Sequence, residues 1–187
     1  MIKKRDPTTN NDNMVTSHQY YDLNDIQNNL LKIINQNPGI RYRELLRTTG
    51  LSNGVLTYNL KILEESGYLN TFRQKKTTRY YSINTPAQDL SIIAHLRVQS
   101  EREIIIFVLE HDLCTFNEIV EYSKKASSTI SWHLTRLCQD GIISVHYEEY
   151  QLYRIIDRKL VNQILYKYKE TFVDKVVNNF IDIADNL

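Results

Sequence analysis

The chain predicts a mainly α-helical α+β fold: two copies of one module, each three helices and a small β-hairpin, followed by a long C-terminal helix. Three observations predict it. With 5 Gly and 3 Pro in 187 residues, chain breakers are scarce, so helices joined by short turns are expected. Apolar residues recur at helical spacing, most clearly as Leu56, Leu60 and Leu63 within Leu51–Leu69. The pattern also occurs twice. Adding 74 carries Leu56, Leu60, Leu63 and Gly67 onto Ile130, Leu134, Leu137 and Gly141, and Tyr42, Glu44, Leu45 and Leu46 onto Phe116, Glu118, Ile119 and Val120. Leu30 and Ile34 fall likewise on Ile104 and Val108. A gapless match across three helices points to tandem duplication of one module; a solenoid would need three or more shorter repeats.

Residues 1–22 are polar, carry Lys3, Lys4 and Arg5, and read as a disordered arm. The first module spans residues 23–84. Its first helix runs from about Asn24 to Gln36 with Ile26, Leu30, Ile33 and Ile34 on one face, and Pro38-Gly39 ends it. A short helix at about Tyr42–Thr49 and the turn Thr49-Gly50-Leu51 lead into the third. There Ser52 offers a capping oxygen, and Gly67 accepts the left-handed conformation that ends a helix. The leucine stripe packs inward. At about 100° per residue, the opposite side carries Gly54, Thr57, Tyr58, Lys61 and Glu65. A helix with one buried face and a small, polar, partly basic outer face suits a DNA groove. Ser52, Asn53, Gly54, Thr57, Tyr58 and Lys61 are its candidate DNA contacts.

Tyr68–Arg73 and Arg79–Ile83 then read as the strands of a hairpin. Arg73, Lys75, Lys76 and Arg79 place four cations within seven residues around its tip, suited to hold the phosphate backbone beside the helix. Three helices and a basic-tipped hairpin make a winged helix-turn-helix.

Thr85-Pro86-Ala87-Gln88 sets Thr at a cap, Pro at the first helical position and Gln three residues after the cap. A linking helix is therefore expected within 85–99, with Leu90, Ile93 and Leu96 on its apolar side. The second module spans residues 100–156. Ser100-Glu101-Arg102-Glu103 and Thr115-Phe116-Asn117-Glu118 read as capping boxes opening its first and second helices. Its third helix presents small hydroxyl residues, which suit base edges and phosphates. Ser127, Ser128, Ser131, His133 and Arg136 are its candidate DNA contacts, with Trp132 and Thr135 on the same face. The hairpin Ile142–Ile156 differs, because its tip holds Glu148 and Glu149, which a phosphate backbone repels. Whether this module meets DNA stays open, and Trp132 serves equally well as a packing anchor.

Residues 157–187 form the expected C-terminal helix, with Leu160, Ile164, Tyr168, Phe172, Val176, Phe180 and Ile183 three or four apart. Such a stripe needs cover, from its own second module or from the same helix of another chain. Two-fold dimers are the commonest oligomers and DNA half-sites reward that symmetry, so these residues are the expected homodimer contacts.

Charge distribution separates the modules. Overall the net charge is only +1. Residues 23–84 hold nine Lys/Arg against four acids, a net of +5, whereas residues 100–156 hold five against nine, a net of −4. No apolar run approaches the ~20 residues of a membrane span, and the polar N-terminus is no signal peptide, so a cytoplasmic protein is expected. Cys114 and Cys138 read as reduced thiols near a helical core. His18, His95, His111, His133 and His146 are scattered, without metal-ligand spacing. There is no phosphate-cradling Gly loop and no nucleophile motif. Catalytic residues, metal and cofactor are therefore all expected to be absent.

The segments VLTYNLKILEESGYL and TISWHLTRLCQDGII resemble the recognition helix and following strand of archaeal and bacterial winged-helix transcription regulators of the arsenic-repressor and multiple-antibiotic-resistance type. Ile130-Ser131-Trp132-His133-Leu134 fits their pattern of aliphatic, hydroxyl, variable, His, Leu; Leu56-Thr57-Tyr58-Asn59-Leu60 departs once, at Asn59. The layout over residues 23–187 is similar to archaeal predicted regulators with two helix-turn-helix domains. That resemblance implies a dimeric regulator of transcription bound to double-stranded DNA. The alternative is a protein-docking module of a transcription or replication complex, which the acidic second module and Trp132 would serve.

Overall fold

Asn24 opens the first helix with a reciprocal cap: its side chain accepts from the Gln27 amide at 2.9 Å, and Gln27 Oε1 accepts from the Asn24 amide at 3.1 Å. The computed structural model describes residues 23–74 and 77–172. The first module runs α1 (Asp25–Gln36), β1 (Ile40–Arg41), α2 (Tyr42–Thr49), α3 (Asn53–Glu65), β2 (Leu69–Gln74) and β3 (Thr77–Ser82). Gly50, at φ 67°, ends α2 in the left-handed conformation. Gly67, at φ 74°, does the same after α3, letting the Tyr68 amide donate to the Leu63 carbonyl at 2.9 Å. The three strands order β1-β3-β2, all antiparallel, with Ile40 opposite Tyr80 and Leu69 opposite Ser82. Leu56, Leu60 and Leu63 join Leu30, Ile34 and Leu45 in the core beneath, as the stripe required. Ile26 is the exception: it stands exposed.

The same order recurs: α5 (Gln99–His111), β4 (Cys114–Thr115), α6 (Phe116–Ser123), α7 (Ser127–Gln139), β5 (Ile143–Tyr147) and β6 (Gln151–Ile155). The limits of β1, α2 and α3 plus 74 are the limits of β4, α6 and α7. The register slips only in the second hairpin, which is one residue shorter: Leu69 pairs with Ser82, but Ile143 pairs with Ile155.

Between the modules lies α4 (Ala87–Leu96), and after them α8 (Arg158–Lys167) and a 3-10 turn, Lys169–Thr171. The linking helix starts one residue later than expected. Pro86 occupies the cap position, and Thr85 is buried rather than capping. Nor is it a free linker. Ile92, Ile93 and Leu96 are buried in the second module's core together with Tyr81 of β3. A Cβ on Gly39 would stand 3.1 Å from Ile93 Cγ2 and 3.2 Å from the Tyr81 ring, so this turn, at φ 74°, accepts α4 only because it is glycine. The Tyr81 hydroxyl donates to the Leu90 carbonyl at 3.0 Å and Arg97 Nε to the Pro38 carbonyl at 2.7 Å, tying α4 to the first module.

Two further expectations are corrected. The Ser100 capping box does not form: α5 begins at Gln99 after Val98, with no side-chain cap. Glu101, fully buried, instead meets His95, His133 and Arg136. Thr115 does cap α6 reciprocally with Glu118. The C-terminal helix is shorter than its apolar stripe suggested, because Tyr168 at φ −115° leaves helical geometry. The chain then turns and Phe172 enters the core, 2% exposed. Ile164 and Phe172 are buried in the core of their own chain, with Leu160 and Tyr168 packed against it. Their cover is therefore the second module, and their burial requires no second copy. Val176, Phe180 and Ile183, like the arm 1–22 and Lys75 and Lys76, lie outside the described residues.

Candidate nucleic-acid interface

With its leucines turned inward, α3 presents the opposite face to solvent. Ser52, Asn53, Gly54, Thr57, Tyr58 and Lys61 are all exposed, Tyr58 at 64%. Ser52 Oγ accepts from the Val55 amide at 3.4 Å and sets where the helix begins. Small side chains at Ser52, Asn53 and Gly54 leave the N-terminal turn unobstructed, and nothing lies within 4 Å of a Cβ built on Gly54. Lys61 sits opposite Glu65 at 3.6 Å, an exposed pair of little strength.

Tyr42 adds a feature that helical periodicity did not single out. Its hydroxyl lies 3.0 Å from Thr57 Oγ1, 3.1 Å from the Asn53 carbonyl and 3.2 Å from Asn53 Oδ1. The available signal was the repeat register, in which the partner of Tyr42 is Phe116, without a hydroxyl.

The hairpin cations separate. Arg73 is exposed and donates to Glu64 at 2.8 Å; that hydrogen bond holds the Glu64 carboxyl below its ordinary range and raises Arg73. An exposed pair of this kind contributes little to stability. Arg79 does not belong to the interface. It is 4% exposed and donates to the Gly39 carbonyl at 2.8 Å from the face of the sheet shared with Arg41. Burial, reinforced by the neighbouring Arg41 charge, pushes its pKa down to about 10. Its role is to pin the Pro38–Gly39 turn.

The second module offers a different face. Ser127, Ser128 and Ser131 are exposed on α7, and Trp132 is 57% exposed with the Arg136 guanidinium 4.9 Å above its ring. His133 is buried: Nδ1 lies 3.0 Å from Glu101 Oε1, the oxygen that Arg136 Nη1 also reaches at 2.7 Å. His133 is thus a core residue, and Arg136 is held back against the protein. Asn59, its counterpart in α3, is buried too and donates to the Val55 carbonyl at 2.8 Å. At the hairpin, Tyr147, Glu148, Glu149 and Tyr150 are all exposed. A cavity of about 500 Å³ lies between α7 and this hairpin, lined by Phe116, Ser131, Thr135, Val145 and Tyr153 among others.

Burial pushes the Cys114 thiol up to about 12 and raises Cys138 as well; both are free. Among the described residues, no group of three His, Cys, Asp or Glu is placed to hold a metal ion, and no helix is long and apolar enough to cross a membrane.

Comparison with known proteins bears on the first module most directly. A protein named as an uncharacterized HTH-type transcriptional regulator, from Methanocaldococcus jannaschii, is 22% identical over 139 residues, covering 74% of this chain and 35% of that protein. The chain thus spans about a third of the length of the curated relative it matches. Among solved structures, HlyU from Vibrio cholerae N16961 superposes with a TM-score of 0.40 at 16% identity, covering 45% of this chain and 91% of that one. Residues 23–70 match the family described as winged helix-turn-helix DNA-binding. That family is one of DNA-binding domains, not of enzymes, and its match covers α1 through the start of β2, the segment that carries the exposed polar face of α3.

Proposed function

We propose that the chain is a transcription regulator that reads double-stranded DNA with α3 of its first module in the major groove and grips the backbone with the adjoining wing. The observation that carries this reading is the exposed polar face of α3, from Ser52 to Lys61, in the module with net charge +5. Asn53, Thr57, Tyr58 and Lys61 approach base edges, while Ser52 and Gly54 let the helix N-terminus come close to the backbone. Arg73, Lys75 and Lys76 hold phosphates. The second module is a duplicate of the first that has diverged in charge, with Ser127, Ser128 and Ser131 as its remaining candidate contacts. The functional unit is a homodimer, since paired half-sites reward two-fold symmetry. Val176 and Phe180 continue the apolar stripe and are its candidate contacts. The M. jannaschii relative, named as a transcriptional regulator, supports the same reading.

Selection of bound duplex from a random pool tests it, followed by titration of variants. Replacing Thr57 or Lys61 by Ala is expected to change which sequence is preferred, at about 1–3 kcal/mol per lost base contact. Replacing Lys75 and Lys76 by Ala is expected to weaken all duplexes alike and to flatten the salt dependence. Unchanged binding to the selected site in both variants would overturn these roles. A second reading, docking of a protein partner on the second module, is favoured by one observation: Trp132, Tyr147 and Tyr150 stand exposed in the module that also exposes Glu148 and Glu149. Failure of the whole chain to bind random duplex at low salt would favour it.

A further inference from the structure

We infer that Tyr42 is a positioning residue that sets the hydrogen-bonding sense of Asn53 and Thr57 before DNA arrives. This rests on the proposed role of α3. The Tyr42 hydroxyl has one proton and lies within bonding distance of both residues: 3.1 Å from the Asn53 carbonyl, 3.2 Å from Asn53 Oδ1 and 3.0 Å from Thr57 Oγ1. The Asn53 oxygens only accept, so Tyr42 donates to them and receives the Thr57 proton. Thr57 then has lone pairs left for the groove and acts there as an acceptor. With Oδ1 engaged, Asn53 offers its amide N–H groups as donors.

In the major groove this polarity matters. Adenine and cytosine present an exocyclic amine, whereas thymine and guanine present a carbonyl. A free hydroxyl rotates and serves either, but a hydroxyl whose proton is committed discriminates. The base facing Thr57 is therefore an adenine or a cytosine. Prior ordering of two side chains also removes a cost of roughly two- to tenfold in affinity for each.

The second module is a natural contrast. Adding 74 places Phe116, Ser127 and Ser131 at the positions of Tyr42, Asn53 and Thr57. Phe116 has no hydroxyl to give, and it lines the cavity beside Ser131. The positioning device belongs to the first module alone.

The test compares wild type, Y42F, T57V and Y42F/T57V in the full chain. Each is titrated with a site selected from random duplex, with that site changed one base pair at a time, and with a scrambled duplex of equal length. In Y42F, discrimination between amine-bearing and carbonyl-bearing bases at the position facing Thr57 is expected to fall roughly tenfold. Affinity for scrambled duplex, its salt slope and the melting temperature stay at wild-type values. In the T57V background, Y42F adds little further loss. Wild-type discrimination in Y42F overturns the inference, as do independent, multiplicative losses in the double variant. Equal loss on every duplex with a lowered melting temperature overturns it too, because that marks a structural role. A wild-type chain that prefers no sequence overturns the proposed function itself, and this inference with it.

Discussion

Arg73 and Arg79 flank the same hairpin tip, yet one faces water and the other the interior. Arg73 lies on β2 with Glu64 as its partner. Arg79 lies on β3, which is the central strand of its sheet, and its side chain turns beneath Gly39. A buried guanidinium that satisfies a buried carbonyl is a structural group: its removal leaves that acceptor without a partner. R79M is expected to lower the free energy of unfolding by about 1–3 kcal/mol, read from urea melts. Affinity for random duplex, measured where both proteins are folded, is expected to stay at the wild-type value. The opposite result, unchanged melts with lost affinity, would return Arg79 to the interface. The error in reading it as a phosphate contact has a definite source. Clustered cations are visible in sequence, but which of them a strand turns inward depends on pairing with β1. That strand is two residues long and carries no periodicity to detect.

Helices and their ends were far more legible. The α2 limits fall where the expected Tyr42–Thr49 helix lies, and α3 starts after Ser52. Both follow from local chemistry, a cap and a left-handed glycine. What joins the elements was not legible. Glu101 binds His95 Nδ1 at 2.7 Å through one oxygen and both Arg136 and His133 through the other. His95 Nε2 lies 2.7 Å from Asp140 Oδ2, so one ring spans two carboxylates. Three helices, α4, α5 and α7, are thereby fastened through a single buried acid. Its sequence context, Ser-Glu-Arg-Glu, mimics a cap closely enough to mislead.

Burial would push the Glu101 carboxyl up, but the hydrogen bonds and charges of His95, His133 and Arg136 prevail and hold it below the ordinary value of 4.5. A carboxyl with a lower pKa in the folded state binds its proton more readily when unfolded. Its contribution is therefore whole above about that ordinary value and is lost as pH falls through the folded pKa. E101Q is expected to cost about 3–5 kcal/mol at neutral pH, the scale for breaking a buried ion pair. The gap between wild type and E101Q in urea melts is expected to shrink as pH drops below the ordinary carboxyl range. An equal gap at pH 7 and in strong acid would show that another group carries the effect.

For the molecule as a whole, the decisive quantity is where charge sits, not its sum. A net charge of +1 hides a first module at +5 and a second at −4. The proposed binding through the first module alone would still release counterions. If a dimer neutralises six to ten phosphates, affinity is expected to fall roughly 10³–10⁵-fold between 50 and 200 mM salt. A slope near zero, measured by titration at several salt concentrations, would deny the backbone role of the wing. The proposed dimerisation would be separable from folding, because α8 and Phe172 complete the core of their own chain. A chain ending at Phe172 is expected to fold, by its far-UV spectrum and a cooperative melt, but to sediment as a monomer. Should it remain a dimer, Val176 and Phe180 are not the contacts.

By itself the sequence determined the helix stripes, the caps at Ser52 and Thr115, the turn glycines, the recurrence at 74 residues and the separation of charge between modules. The first three are properties of neighbours along the chain, and the last two are comparisons made within the sequence alone. Only the tertiary structure decided which polar groups face inward. It sent Arg79 beneath Gly39, His133 and Glu101 into the second core, and Leu160 and Phe172 onto their own module. It also brought the Tyr42 hydroxyl from α2 to the exposed polar face of α3. The physical reason is one of distance. A hydrogen bond or an apolar contact between residues remote in the chain is selected by the packing of whole elements, and no local pattern encodes which partner packing will supply.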